Sequence, residues 1–215
     1  MDTESTTTLG EQKELSIYGE YINTMEKIME DLEKKIEDNS SRHEARHGEK
    51  LFEHIICRIK SDESMGDKLA LAGLEPTAYN ALRSMHDAIG LRIVCLFIDD
   101  VYKNVELIKS LPGCTITEEK DYIQNAKPNG YRSYHMILDV TTDDPDVDGN
   151  VPGHFPVEIQ LRTIAMDTWA ALEHEMNYKK DIENPELIQQ ELRRCANELA
   201  SCDVSMQTLR KIIRG

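Results

Sequence analysis

The strongest constraint on the fold is the alternation of polar and apolar side chains over residues 157–163. A period of two is typical of a β-strand with one buried face. It places Glu158, Gln160 and Arg162 on one face and aliphatic side chains on the other. Burying a lone carboxylate would cost on the order of several kcal/mol, so Glu158 needs a cation or open water. A ligand-binding cleft supplies both, although an ordinary half-solvated strand remains an alternative.

The composition predicts one domain in a reducing compartment. The chain has 215 residues, 40% of them apolar, which is enough for a single core over residues 13–215 after a disordered, Thr- and Ser-rich start at residues 1–12. No apolar run approaches the roughly 18 residues of a membrane span, and the N-terminus lacks the pattern of a signal peptide. The five cysteines form no C-x-x-C pair. We therefore expect a cytoplasmic protein with reduced thiols and no membrane partner.

The charge distribution indicates a small anionic ligand. A net charge of -15 makes nucleic acid an unfavourable partner, because basic surfaces normally provide that affinity. Cations nevertheless recur through the middle of the chain, near the edges of predicted strands and loops. They are Arg58, Lys60, Lys68, Arg92, Lys120, Lys127, Arg132 and Arg162. Scattered, solvated cations are the alternative to a polyanion-binding site.

The hydrophobic pattern predicts an α+β fold, in which a small mixed β-sheet is flanked by helices and long helices lie at both ends. Strands are predicted at residues 91–97, 114–117, 134–140 and 155–161, and a loop at 141–153. Helices are predicted at residues 13–38, 51–59 and 100–111. Glycines at Gly66 and Gly73 divide the region after residue 59 into short helices.

Two further helices are predicted after Arg162. Thr163 caps the first, whose core stripe is Ala165, Trp169, Leu172 and Met176. Asn184 and Pro185 begin the second, because asparagine caps well and proline is tolerated at the first helical position.

Two segments combine groups that can bind phosphates. Asp87, Gly90 and Arg92 open a predicted strand, where a carboxylate can hold Mg²⁺, glycine permits close approach and arginine can clamp phosphate oxygens. A tight turn into a strand with an Asp–Arg pair is the alternative. In the second segment, aromatic and cationic side chains follow a Pro-Asn-Gly turn. They are Lys127, Tyr131, Arg132, Tyr134 and His135. Tyrosine can stack on a nucleobase and the cations can neutralise phosphates, although a tight turn with core tyrosines is an alternative.

Two weaker patterns lie nearer the N-terminus. Arg58 and Lys60 precede Ser64 and Lys68, and the last two are one helical turn apart and can share a face. A solvated basic face of a helix is the alternative to a binding site. The segment from His43 to His47 satisfies the H-E-x-x-H pattern of zinc peptidases. Its flanks are polar and no third ligand follows from the spacing, so a zinc peptidase is a minor alternative.

Taken together and in this order, the two phosphate-binding segments and residues 158–163 resemble the synthetase domain of the RelA/SpoT family, the alarmone or (p)ppGpp synthetases. The resemblance covers about residues 51–180 and implies a nucleotidyltransferase-like core. A hydrolase domain and a long regulatory C-terminal region do not fit in this length. The chain is therefore most similar to the small, single-domain members.

The resemblance implies Mg²⁺-dependent transfer of the β,γ-pyrophosphate of ATP to the 3′-hydroxyl of GTP or GDP, with release of AMP. It implies that Asp87 and Glu158 are catalytic and hold the metal, and that Glu158 also takes the proton of the attacking hydroxyl. The residues at ATP-binding positions are Arg58, Lys60, Ser64, Lys68 and Arg92. Those at GTP-binding positions are Lys120, Lys127, Tyr131, His135 and Asp167.

The sequence departs from the family pattern at several points. Asp167 stands where an asparagine that reads guanine is expected, although an ionised aspartate can still accept from N1–H and N2–H. Gly66 replaces a residue that is often basic. Residues 54–57 do not resemble the matching stretch of tetrameric members that bind alarmone allosterically, so product activation is not expected. Assembly into a homo-oligomer, as a tetramer through the terminal helices, is a hypothesis.

Two alternatives use the same fold. One is a toxin-like relative that pyrophosphorylates the 3′ end of tRNA, which the acidic net charge disfavours. The other is a non-catalytic nucleotide sensor, which the presence of both acids disfavours. The residues do not distinguish GTP, GDP and GMP as acceptors.

Overall fold

A computed structural model describes residues 16–178 and 184–214; the expected disorder of residues 1–12 lies outside them. Five α-helices are described in these ranges: α1 (Ile22–His47), α2 (Asp62–Leu71), α3 (Ile98–Lys109), α4 (Ile164–Tyr178) and α5 (Pro185–Arg214). The strands described there are β1 (His54–Ile59), β2 (Ile89–Cys95), β3 (Cys114–Asp121), β4 (Tyr134–Thr142) and β5 (Gly153–Thr163). A 3₁₀ turn at Gly19–Tyr21 precedes α1, and a π-helical turn at Asn80–Ser84 precedes β2. None of the helices in this part of the chain has the length and apolarity to cross a membrane.

The strands form one mixed sheet in the order β1-β2-β5-β4-β3. The central pair β2 and β5 is parallel, and the other pairs are antiparallel. The expected α+β class, with a small mixed sheet and helices around it, is confirmed.

The two faces of the sheet have different roles. One face is buried under α1, α2 and α3, where Leu32 of α1, Met65 of α2 and Val105 of α3 join the core. The alternation in β5 is confirmed, because Val157 and Ile159 lie in this core. The polar side chains of β5 consequently lie on the opposite face.

The prediction of a helix at residues 51–59 is wrong, because residues 54–59 form the edge strand β1. The strand pairs antiparallel with β2 and alternates between more and less exposed side chains, with Cys57 and Ile59 packed against the core. A short apolar run does not distinguish a strand from a buried helical segment by its periodicity. The pairing with β2, which lies far away in the sequence, determines the outcome.

Two predicted helix boundaries are also wrong. α1 continues past Asp38 to His47 and is capped by Gly48. Gly48 has a left-handed φ of 72°, and its backbone N–H donates a hydrogen bond to the carbonyl oxygen of Glu44 at 2.7 Å. The polar residues after Asp38 lie mainly on its solvent side. Gly66 does not interrupt α2, which runs from a cap at Ser61 through to Leu71.

The predicted starts of the two C-terminal helices are confirmed. The Thr163 hydroxyl accepts a hydrogen bond from the backbone N–H of Met166 at 3.2 Å, and α5 begins at Pro185. In the predicted stripe of α4, Ala165 and Trp169 are buried, but Leu172 is 40% exposed and is not a core residue.

The loop between β4 and β5 is organised by a buried acid, Asp146. Its carboxylate accepts hydrogen bonds from Arg83 Nη2 at 2.6 Å and from the backbone N–H groups of Asp148, Asn150 and His154. Burial alone would raise the pKa of Asp146, but these bonds outweigh it and hold the pKa well below its usual range.

We expect the Asp146→Ala change to lower the free energy of unfolding by about 2 to 3 kcal/mol, because several buried donors lose their acceptor. The contribution of Asp146 is fully present above the unfolded pKa near 3.9 and is lost as the pH falls towards the lower folded pKa. Urea unfolding at neutral and acidic pH measures both effects. Asp143→Ala, at an exposed position of the same loop, is the control, and equal losses in the two variants would contradict the assignment.

Candidate active site

A cleft opens on the polar face of the sheet, where β1, β2 and β5 lie side by side. Register places Arg58, Gly90 and Glu158 in one row across these three strands. The residues around the cleft are Ile56, Arg58, Asp87, Gly90, Leu91, Arg92, Glu158 and Gln160. Two carboxylates that are distant in the sequence therefore share one cationic cleft.

Asp87 lies just before β2 and contacts two lysines. Nζ of Lys60 is 2.5 Å from Oδ2, and Nζ of Lys68 is 2.7 Å from Oδ1. Burial alone would raise the pKa of Asp87, but the two lysines outweigh burial and hold the pKa below its usual value. The side chain is consequently ionised at neutral pH.

Glu158 projects from the middle of β5. Nε2 of Gln160 donates to Oε2 at 2.9 Å, and Nδ1 of His135 on β4 is 3.4 Å from Oε1. Burial would raise the pKa of Glu158 and the charge of Asp87 adds to that effect, but His135 and Gln160 outweigh both and hold the pKa below its usual value. A part-buried carboxylate is thereby kept charged within reach of the open cleft.

Arg162 connects the two halves of the polar face. Its guanidinium is buried, and Nη1 donates to Oδ1 of Asp167 at 2.9 Å. Nη2 donates to Oε1 of Gln160 at 2.8 Å and to the hydroxyl of Tyr131 at 2.9 Å. The Tyr131 hydroxyl and Nε2 of His135 share a hydrogen bond of 2.7 Å. This network fixes the side chains on both sides of Glu158.

The candidate cations and aromatic residues are brought together to different extents. Nζ of Lys127 lies 4.6 Å from the ring centroid of Tyr122 and 4.9 Å from that of Tyr131. Lys120 is exposed and forms an ion pair with Glu118. Ser64 is exposed on α2, where its backbone N–H bonds to the Ser61 hydroxyl, and it does not contribute to the cleft lining.

Arg92 and Asp167 lie at the junction of the two predicted nucleotide sites. Nη1 of Arg92 is 3.4 Å from Oδ1 of Asp167, the oxygen that Arg162 also contacts. Burial and the nearby charge of Arg162 lower the pKa of Arg92. Asp167 is thus the acid that neutralises two close arginines.

The sequence does not predict the part that three residues play in this face. The pattern places Gln160 on the polar side of the strand without a role, and it includes Arg162 only among the cations for an anionic ligand, although their spacing from Glu158 places both on its face. Tyr122 was not recognised at all, because its contact with Lys127 depends on how the segment after β3 folds back.

The zinc pattern on α1 is not completed by further metal ligands in the described part of the chain. The rings of His43 and His47 are tilted by 37° with their centroids 4.4 Å apart, in a groove shared with Arg42 and Arg46. Among the residues of the two described ranges, no group of three or more His, Cys, Asp or Glu side chains can hold a metal ion. The pattern therefore does not mark a zinc-peptidase centre.

Gly90 leaves the floor of the cleft open. A Cβ there would meet only Arg58 atoms, at 4.0 Å, so a larger side chain would extend into the cleft and not into the protein. We expect Gly90→Val to preserve the melting temperature within a few degrees and to weaken ATP binding about tenfold or more by occupying the space. Calorimetric titration and thermal unfolding measure the two effects, and unchanged nucleotide affinity would refute this use of the cleft.

Comparisons with known proteins agree on one family. A model described as a region found in RelA / SpoT proteins matches residues 57–183. The chain is 40% identical over 165 residues to the GTP pyrophosphokinase YwaC of Bacillus subtilis (strain 168), covering 77% of each protein.

Solved structures agree with this similarity. The crystal structure of the small alarmone synthetase 1 from Bacillus subtilis bound to its product pppGpp matches with a TM-score of 0.77 and 29% identity, over 89% of this chain and 95% of that one. The same synthetase bound to AMPCPP matches with a TM-score of 0.71 and 27% identity, over 88% and 94%. Since the family model covers more than half of the sequence and YwaC is similar over most of its length, the chain belongs to the RelA/SpoT family.

Proposed function

We propose that this protein is a small alarmone synthetase that transfers the β,γ-pyrophosphate of ATP to the 3′-hydroxyl of GTP or GDP, forming (p)ppGpp and AMP. The observation that carries the proposal is the convergence of Asp87 and Glu158 in one cleft with Arg58 and Arg92. Related structures bound to pppGpp and to AMPCPP, an adenine nucleotide, support both halves of the reaction.

The donor side of the site is formed by cations around Asp87. In the proposal Arg58, Lys60, Lys68 and Arg92 bind the ATP phosphates, and Ser64 contributes from α2. The contacts of Lys60 and Lys68 with Asp87 support this role, because they hold two ammonium groups at the cleft edge. Transfer to an acceptor is then mainly a matter of positioning and charge neutralisation.

Mg²⁺ is the proposed cofactor, with Asp87 and Glu158 as its protein ligands. Both side chains present oxygen donors to the same cleft, and the pKa of each is held below its usual value. Magnesium commonly takes one or two carboxylates and completes its shell with water and substrate phosphates, so this donor set fits. The bound ion would supply positive charge to the phosphate oxygens.

Glu158 is the proposed general base. Its ionised carboxylate can accept the proton of the attacking 3′-hydroxyl, while Gln160 and His135 fix its orientation through the contacts at 2.9 and 3.4 Å. The arrangement leaves the carboxylate part-exposed to the cleft, where an acceptor hydroxyl can approach it.

The acceptor side lies around Tyr131. In the proposal the Tyr131 ring stacks on guanine, and Lys127, Lys120 and His135 bind the phosphates of the acceptor. Asp167 accepts hydrogen bonds from guanine N1–H and N2–H. Its position beside Arg162, which also bonds to Tyr131, supports a place for it next to the stacked base.

The proposal includes a cytoplasmic location and a homo-oligomeric state, with a tetramer as the expected form. All five cysteines are free thiols, as is usual in reducing compartments. Large apolar side chains are exposed along α5, and exposed apolar surface often serves association. They are Leu187, Val204, Leu209, Ile212 and Ile213. Light scattering of the purified protein measures the oligomeric state.

The activity is tested by incubating the purified protein with ATP and Mg²⁺ in the presence of GTP, GDP, GMP or tRNA. We expect equal amounts of AMP and of a 3′-pyrophosphorylated guanine nucleotide with GTP or GDP, and neither product after chelation of the metal. Transfer to tRNA alone would favour the toxin-like alternative. Binding of ATP or GTP without formation of AMP would favour a non-catalytic nucleotide sensor.

A further inference from the structure

The segment that carries Tyr131 is supported from behind by α5. Gly130 is buried with a φ of 98°, and a Cβ at this position would lie 2.5 Å from the Cβ of Ala196 and 3.6 Å from the Cα of Arg193. The backbone of the segment therefore approaches the helix as closely as a glycine allows. Any displacement of α5 towards the sheet would move Tyr131 with it.

Hydrogen bonds join the same two elements. Nη1 of Arg132 donates to the carbonyl oxygen of Gly130 at 3.1 Å and to that of Ala196 at 3.4 Å. One guanidinium thus bridges the Tyr131 segment and α5. The buried side chain of Ala196 lies at the point where the two backbones meet.

Trp169 provides a second connection between α5 and Tyr131. Its Nε1 donates to the carbonyl oxygen of Leu192 at 2.7 Å, and its ring centroid is 6.2 Å from that of Tyr131. Trp169, Leu192 and Ala196 form a small apolar cluster against which Tyr131 packs. Further along α5, Asp203 accepts a hydrogen bond from the Thr163 hydroxyl at 2.6 Å. The helix is therefore held at several points behind the aromatic ring.

We propose that α5 positions Tyr131 for the guanine acceptor and that Ala196 is the residue that sets this position. The inference rests on the proposed function, in which Tyr131 stacks on the acceptor base. The cleft lining comes from β1, β2, β5 and residue 87, whereas α5 meets the polar face at the Tyr131 segment. A change at Ala196 consequently affects acceptor binding much more than ATP binding, because among the described residues Tyr131 reaches Arg92 only through Arg162 and Asp167.

The test is the Ala196→Leu variant. The added side chain has no room against Gly130, so the Tyr131 segment must shift. We expect the Kd for GTP and the KM for GTP to rise about tenfold or more, with the Kd for AMPCPP and the KM for ATP within about twofold of the wild type. Asn197→Leu, at the next position and on the exposed side of α5, is the matched control. It should leave the Kd and KM of both nucleotides unchanged.

A reciprocal pair of variants separates positioning from general damage. Gly130→Ala places a Cβ against Ala196, and we expect it to raise the Kd for GTP about tenfold. Adding Ala196→Gly removes the atom that lies 2.5 Å away and should restore part of the affinity, although the strain of the positive φ remains. Fluorescence of Trp169, the only tryptophan, reports whether the cluster behind Tyr131 has moved.

The outcomes are distinct for the two proposals. Equal losses of GTP and AMPCPP binding, or unchanged GTP binding in Ala196→Leu, would overturn the role of α5 and leave the reaction standing. If the wild type binds GTP but forms no AMP, the proposed reaction fails, whereas selective loss of GTP binding in the variants still supports the positioning role. Absence of GTP binding by the wild type would overturn both.

Discussion

Replacing Glu158 with glutamine is expected to lower kcat by about three orders of magnitude, because the proposed general base for the 3′-hydroxyl becomes a neutral amide. The amide has nearly the same shape and can still contact Gln160 and His135, so the melting temperature should change little. Initial rates of AMP formation from ATP and GTP measure the loss, and calorimetry with AMPCPP shows whether nucleotide binding survives.

The matched control for Glu158→Gln is Asp139→Asn. Asp139 lies on β4 on the same face of the sheet but pairs with His154, at 2.8 Å, outside the cleft. This variant should retain kcat within about twofold of the wild type. A folded Glu158→Gln protein with substantial turnover would exclude the carboxylate as the base.

The pH profile provides a second check on Glu158. The pKa of Glu158 and that of Asp87 are both held below the usual carboxyl value. Both groups are therefore ionised at every pH above the ordinary carboxyl range. We expect no loss of kcat from protonation of these two groups between about pH 5 and pH 8. An acidic limb centred near pH 6 and absent from Glu158→Gln would show that the carboxylate titrates higher than its contacts indicate.

Asparagine in place of Asp87 is expected to lower kcat/KM for ATP by about two orders of magnitude. The change removes one proposed metal ligand and also the acid that holds Lys60 and Lys68 in place at 2.5 and 2.7 Å. We therefore expect a higher Mg²⁺ concentration at half-maximal rate as well as a weaker response to ATP. Initial rates over a grid of Mg²⁺ and ATP concentrations separate the two effects.

Asp62→Asn is the control for the metal assignment. Asp62 is an exposed acid in the first turn of α2 and accepts a hydrogen bond from Ser16, so its neutralisation should leave the Mg²⁺ dependence unchanged. If Asp87→Asn lowers the rate without altering the Mg²⁺ requirement, Asp87 acts by organising the lysines and not by binding the metal.

The sheet was largely predictable because its central strands carry strong local patterns. Side chains of β5 alternate between the buried and the polar face, and β2 is a nearly continuous apolar run. The sequence therefore predicts both strands with small errors at their ends. The sequence predicts a helix where β1 lies, since the alternation of β1 becomes apparent only when Arg92 and its neighbours pair with it. The structure of an edge strand depends on pairing with a neighbouring strand, and the local periodicity of the sequence carries no information about that pairing.

The sequence predicts that two particular acids share a site, but it does not predict how the side chains of the candidate cleft contact one another. Asp87 and Glu158 were identified within ordered motifs, and the fold brings them to one cleft. The central position of Arg162 was not predicted, because its partners Tyr131 and Asp167 come from other elements. The support of Gly130 by Ala196 was equally inaccessible, since it depends on how α5 returns across the fold.

The parallel pairing of β2 and β5 has a consequence during synthesis on the ribosome. Gly90 and Glu158 are neighbours in the sheet although β3, β4 and their loops separate them along the chain. Such distant pairing requires the closure of a long loop and is a late folding event. A nascent chain that has not yet exposed β5 has the lysines and Asp87 but lacks Glu158, the proposed base. On the proposed mechanism it therefore cannot transfer pyrophosphate before β5 has left the ribosome.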